Sequence, residues 1–183
     1  MRVIAVREES ERGELSEDLL EKIAAGLESD GGSLEVIDIR PGDVAYCLGC
    51  LWCWHTGNGR CRMHDRVPEL EEQVRGADLL VFVSPLRFGT MSSSIKSLID
   101  RGFGCKFYGE GFYPQFVIGY GEDAAEEERA TFLDITLLHR GTEDIVHPEL
   151  AGIPVGSAVT GSKEENSVVA ARVLEFAGAE VSP

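Results

Sequence analysis

Basic residues are scarce in this chain of 183 residues: 17 Lys and Arg stand against 32 Asp and Glu, a formal net charge of −15 at pH 7. Nucleic acids and anionic membranes attract basic surfaces, so this balance argues against both as partners. Long apolar runs are missing too, none reaching the roughly 18 residues that span a bilayer. The opening MRVIAVREESERGE holds no apolar stretch followed by a small-residue cleavage site. Secretion is therefore not expected, and a cytoplasmic setting is. There is no internal repeat, low-complexity tract or obvious linker, and the length suits one domain over residues 1–183 rather than two. Cysteine is sparse outside one stretch: Cys105 is the single outlier and reads as a small buried thiol. No general acid, base or nucleophile stands out, an absence consistent with electron or hydride transfer.

The one dense stretch is CLGCLWCWHTGNGRC, a C-x2-C-x2-C-x7-C run of Cys47, Cys50, Cys53 and Cys61 on a loop at residues 41–64. Two-residue gaps on a glycine-containing loop let the backbone curl and turn several sulfurs toward one centre. In a reducing compartment such clustering points to metal binding or redox work rather than to structural disulfides. Four roles compete. A [4Fe–4S] cluster takes four thiolates and often uses compact spacing with one longer reach. Structural zinc accepts four cysteines but usually as two separated pairs. A dithiol–disulfide switch needs only two thiols, and unligated thiols need none. The spacing favours the cluster and leaves the others open. Trp52 and Trp54 flank Cys53 and suit shielding of a centre or a subunit contact. His55 and His64 read as solvated loop residues.

Short β-rich apolar runs alternate with amphipathic helical patterns, the order of βαβ units. Residues 2–6 predict a first strand, and Leu15, Leu19, Leu20, Ile23, Ala24 and Leu27 predict a helix over 14–28 closed by Gly31 and Gly32. Leu34–Ile39 reads as a second strand, leading into the cysteine loop, and Leu70 and Val74 mark a helix ending near Gly76. The unbroken run Leu79–Val83 has the signature of a strand buried on both faces, and so of the sheet's centre. A helix through Ile95, Leu98 and Ile99, a strand at Phe116–Tyr120, a helix over 123–139, a short strand at 145–147 and a helix over 164–177 complete the series. The expected fold is α/β: a flavodoxin-like, doubly wound, five-stranded parallel sheet in three layers. Ligands of such sheets bind outside the carboxyl ends of the strands. Residues 7–14, 84–92 and 119–123 fall there, and the cysteine loop leaves the same rim.

On these residues the chain resembles the NAD(P)H-dependent FMN reductases of flavodoxin-like fold, and within them the iron–sulfur flavoproteins. Three features carry the resemblance: the cysteine run followed by Asp65, the segment SPLRFGTMSSSIKSLIDR at 84–101, and IGYGED at 118–123. It spans Met1 to about Asp123. It implies an FMN held by Ser16, by Ser84, Pro85, Leu86, Arg87, Phe88 and Gly89, and by Gly119, Tyr120 and Gly121. It also implies a [4Fe–4S] cluster on Cys47, Cys50, Cys53 and Cys61, a ferredoxin or NAD(P)H as electron donor, and a homodimer or homotetramer. Read without the family, a strand end followed by Ser, Pro and an aromatic–Gly pair offers backbone N–H groups and a flat apolar contact that suit an isoalloxazine ring. The same residues also make an ordinary turn into a helix capped by Thr90 or Ser92.

The first loop departs from the family. Where the family has a Gly-Ser-Pro-Arg segment and then Asn-Thr holding the FMN phosphate at a helix N-terminus, residues 7–16 read REESERGELS. Glu8, Glu9, Glu11 and Glu14 stand where a dianion would sit. One carboxylate about 6 Å from one phosphate charge costs roughly 3 kcal/mol at an effective dielectric of about 20. Arg7, Arg12, Ser10 and Ser16 are the local compensation, and Arg87 is long enough to reach across as a bidentate donor. The acidic residues also suit the first turn of a helix, where they complement its dipole. Three readings follow. One is an electron-transfer flavoprotein with FMN and a cluster. Another is a flavin-less derivative serving as a metal- or thiol-bearing partner or sensor. The third is a flavin reductase without a cluster.

Overall fold

A computed structural model describes residues 1–57, 60–101, 105–106, 111–141 and 155–181. Its centre is a five-stranded sheet of β1 (Arg2–Glu8), β2 (Ser33–Ile39), β3 (Leu79–Pro85), β6 (Gln115–Tyr120) and β7 (Val155–Thr160). The spatial order is β2-β1-β3-β6-β7, and every pairing is parallel. This is the doubly wound order of flavodoxin-like folds. Two two-residue strands, β4 (Cys105–Lys106) and β5 (Gly111–Phe112), pair antiparallel outside it.

Burial explains the order. All seven residues of β3 are buried, as expected of the middle strand. Along β1, Val3 and Ala5 face one core cluster and Ile4 and Val6 the other. The first cluster includes Leu15, Leu19, Ile23 and Leu27 of α1 (Glu14–Ser29) and Val169, Val173 and Ala177 of α6 (Lys163–Val181). The second holds Leu70 of α3 (Val67–Gln73), Ile95 and Leu98 of α4 (Ser93–Asp100) and Phe132 of α5 (Glu126–Gly141). Helices therefore cover both faces, and a short α2 (Trp52–His55) lies in the cysteine loop.

The predicted short strand at 145–147 lies outside the described residues. The fifth strand of the sheet is Val155–Thr160, which sequence periodicity passed over. Its carboxyl end is fixed by a buried amide. Asn166 donates to the Leu15 carbonyl at 2.9 Å and to Asp18 at 2.7 Å, and accepts from the Thr160 hydroxyl at 2.7 Å. That single side chain joins α6, α1 and β7. No described helix is long and apolar enough to cross a membrane.

Candidate functional site

The carboxyl ends of β1, β3 and β6 form one rim, and each predicted contact segment lies on it. At the end of β3, the buried Ser84 hydroxyl accepts from the Ser92 N–H at 2.7 Å and donates to the Pro85 carbonyl at 3.0 Å. Ser92, the N-cap of α4, is thereby tied to the strand. The Leu86 N–H donates to the Tyr120 carbonyl at 2.8 Å, which joins the β3 and β6 ends. Arg87 and Thr90 exchange two backbone hydrogen bonds of 2.9 Å across Phe88 (φ 51°) and Gly89 (φ 74°). Two consecutive positive φ values are those of a type I′ turn. Gly89 is required twice over, since a Cβ there would also lie 2.9 Å from Thr131. Phe88 is 94% exposed. A bulky residue held at positive φ costs of order 1–3 kcal/mol, and here that strain presents an aromatic ring at the rim.

At Gly119 a Cβ would meet the Phe132 ring at 3.1 Å, so the strand end is pressed against α5. The Gly121 N–H donates to the Thr160 carbonyl at 3.0 Å and extends the rim to β7.

The first loop is filled by its own ion pairs. Arg7 is buried on the α1 side, its Nε donating to Asp38 at 3.0 Å and its Nη1 lying 3.0 Å from Glu17. Arg12 donates to the other Asp38 oxygen at 2.7 Å, and Arg40 pairs with Glu9, holding that carboxyl below the usual range. Ser16 is buried and closes the helix start: its hydroxyl donates to the Gly13 carbonyl at 3.0 Å and accepts from the Gly13 N–H at 3.2 Å. Glu14 is exposed and pairs with Lys163. Glu8 does not face solvent. It is 7% exposed, one oxygen accepts from Ser10 at 3.0 Å, and its buried Oε2 has no hydrogen-bond partner.

The cysteine loop connects β2 to α3 and so leaves the same rim. Cys47 and Cys50 are exposed, Cys53 and Cys61 half-buried, and none of the four is in a disulfide. Around them Tyr46, Leu48, Leu51 and Trp52 are exposed, and the Arg62 guanidinium lies 5.4 Å from the Trp52 ring centre. Among the described residues no group of three or more His, Cys, Asp or Glu side chains is gathered to hold a metal ion. The donor chemistry of four thiols fits a cluster, while their described arrangement does not converge.

What fixes this loop is a buried pair that sequence reasoning missed. Arg101, at the end of α4, pairs with Asp65, their side chains 1% and 8% exposed. Asp65 also accepts from the N–H groups of Ala45 at 2.9 Å and Val67 at 3.2 Å, and Arg101 donates to the Ala45 carbonyl at 3.3 Å. Residues 45 and 65, at the two ends of the loop, are thus clamped to one guanidinium. Burial pushes the Asp65 carboxyl up, but the bonds from Arg101, Ala45 and Val67 outweigh it and leave it below the usual range. Burial likewise pulls Arg101 down, while Asp65 and the neighbouring Cys61 raise it by more. Nε and Nη2 of Arg101 are buried without a hydrogen-bond partner.

The family model of NADPH-dependent FMN reductases matches residues 1–134. The chain belongs to that family. Among curated relatives of this chain, an iron–sulfur flavoprotein from Archaeoglobus fulgidus is 27% identical over 143 residues, covering 77% of this chain and 60% of its own length. The chain thus spans less than two thirds of that relative. Among solved structures, an NAD(P)H:quinone oxidoreductase from Methanothermobacter marburgensis aligns with a TM-score of 0.62 at 21% identity, covering 95% of this chain and 97% of its own. An FMN-dependent NADH-azoreductase from Bacillus anthracis, in complex with FMN, gives 0.55 at 16% identity, covering both chains fully. Both structural likenesses concern the fold.

A flavin would make two different demands on such a rim. Its ring needs a flat apolar contact and backbone polar groups, and the strained turn at 86–90 beside Gly119–Gly121 offers both. Its phosphate needs spare donors and positive charge. Around residues 8–16 the Ser16 hydroxyl caps a helix, and Arg7, Arg12 and Arg40 already face carboxylates. The turn is shaped to suit a flat ring, whereas the first loop's guanidinium groups are largely taken up by its own carboxylates.

Proposed function

We propose that the protein is a flavin-dependent oxidoreductase whose cysteine loop carries a [4Fe–4S] cluster beside the flavin rim. A bound flavin supplies two-electron exchange with a nicotinamide and one-electron exchange with a metal centre, while the protein positions and tunes it. Ser84, Pro85, Leu86, Arg87, Phe88 and Gly89, with Gly119, Tyr120 and Gly121, are the residues proposed to hold the ring. Ser84 does so indirectly, by fixing Ser92 and hence the turn. Phe88 offers an apolar face, and the 86–120 backbone bond keeps the two rim segments at a fixed separation. Cys47, Cys50, Cys53 and Cys61 are the proposed cluster ligands, and Arg101 adds positive charge next to Cys61.

The observation that carries this reading is topological: the β2 end that launches the four cysteines shares one rim with the β3 and β6 ends. Membership of an NADPH-dependent family supports a nicotinamide donor, and the similarity to iron–sulfur flavoproteins supports the cluster. A ferredoxin donor and a homodimeric or homotetrameric assembly complete the proposal; the exposed Tyr46, Leu48, Leu51 and Trp52 suit a contact between subunits. Counting flavin, iron and acid-labile sulfide per chain in anaerobically purified protein tests it, with all three expected.

A further inference from the structure

Resting on the flavin reading above, we propose that the rim takes a flavin whose side chain ends in an uncharged polyol, as in riboflavin, in preference to the 5′-phosphate, and that Glu8 is the residue that sets this preference. Glu8 continues the face of β1 occupied by Ile4 and Val6, whose core cluster also contains Val44 from the cysteine loop and Leu86 and Met91 from the rim segment. The strand runs on from the Arg7–Val83 pairing, which brings Glu8 beside the Ser84 end of β3. Its side chain is therefore set between the first loop and the proposed ring contact.

Buried there, Oε2 has no partner. As a carboxylate it can only accept hydrogen bonds, and a buried polar group without one is costly. A hydroxyl of a ribityl chain donates such a bond. A phosphate dianion offers no proton and adds like charge. The cations nearest the first loop already face carboxylates: Arg7 lies against Asp38 and Glu17, though its buried Nη1 makes no hydrogen bond, Arg12 pairs with Asp38, and Arg40 with Glu9. Ser10 donates to Glu8 itself, and Ser16 to Gly13. The loop thus carries its own anion where a phosphate group would need donors.

The test is titration of the flavin-free, full-length protein with riboflavin and with FMN, followed by quenching of flavin fluorescence, in wild type and in Glu8→Gln. Wild type is expected to bind riboflavin about tenfold or more tightly than FMN. Glu8→Gln, which keeps the shape, removes the charge and supplies an N–H donor, is expected to shift that ratio toward FMN by about tenfold or more. Circular dichroism and thermal melting verify that the variant is folded, and Glu8→Ser provides a second, smaller replacement with the same expected direction. FMN binding tighter than riboflavin in wild type, or a ratio unmoved in both folded variants, overturns the inference and leaves the flavin reading standing. Binding of neither flavin overturns both.

Discussion

Replacing Asp65 by asparagine removes one charge from a pair whose side chains are 1% and 8% exposed, and leaves the Arg101 guanidinium without its contacting counter-ion. Breaking a buried pair from one side typically costs about 3–5 kcal/mol, because the remaining charge is neither solvated nor compensated. The full range is expected here, since Nε and Nη2 of Arg101 already lack partners and the Ala45 and Val67 N–H groups lose a charged acceptor. For a chain of this length that corresponds to a fall in melting temperature of roughly 10 °C. Urea unfolding at neutral pH, followed by circular dichroism, gives the free energy directly. Asp65→Asn combined with Arg101→Met removes both charges and is expected to recover a large part of the loss. Because the folded Asp65 carboxyl lies below its ordinary value, the pair's contribution is complete above the unfolded pKa of about 3.9. It is lost as the pH falls through the folded value, so wild type and Asp65→Asn converge in acid. A single variant within about 1 kcal/mol of wild type at neutral pH, or a double variant worse than the single, would refute the clamp.

Two further substitutions probe the scaffold of the rim. Gly89→Ala forces a side chain into a left-handed conformation at φ 74° and 2.9 Å from Thr131. A loss of about 1–2 kcal/mol is expected from the backbone alone, and an unchanged melting temperature would show that the turn relaxes freely. Asn166→Ala leaves the Leu15 carbonyl without its buried donor and frees the Thr160 hydroxyl. The expected cost in urea unfolding is about 1–3 kcal/mol, and a change under about 0.5 kcal/mol would mean the network is not a strut.

The sheet's centre was legible because burial on both faces leaves an unbroken apolar run, as in Leu79–Val83. The fifth strand was not, because Val155–Thr160 is chosen for smallness rather than hydrophobicity. A Cβ on Gly156 would lie 2.4 Å from the Phe116 ring, so a residue that reads as a strand breaker is what lets the edge strand approach. The cysteine spacing was readable, and so were the three rim segments. Arg101 was hidden in SLIDR because its partner is 36 positions away, and no local pattern announces such a pair. Ser16 is a different case. A hydroxyl at a helix start suits a phosphate or a cap equally well, and here it serves the cap. The acidity of the first loop was plain in the sequence, but the burial of Glu8 was not, since a glutamate at a strand end reads as solvated.

Whether a flavin and a cysteine-held cluster share one rim is read by purifying the protein without oxygen, recording its visible spectrum, and measuring flavin, iron and acid-labile sulfide on the same sample. Flavin together with stoichiometric iron and sulfide, the metal lost in Cys50→Ser, is the predicted result. Iron without flavin would contradict the flavin half and point to a metal-bearing partner subunit. Flavin without iron would contradict the cluster and leave a plain reductase. Neither cofactor, in a folded protein, would contradict the account as a whole.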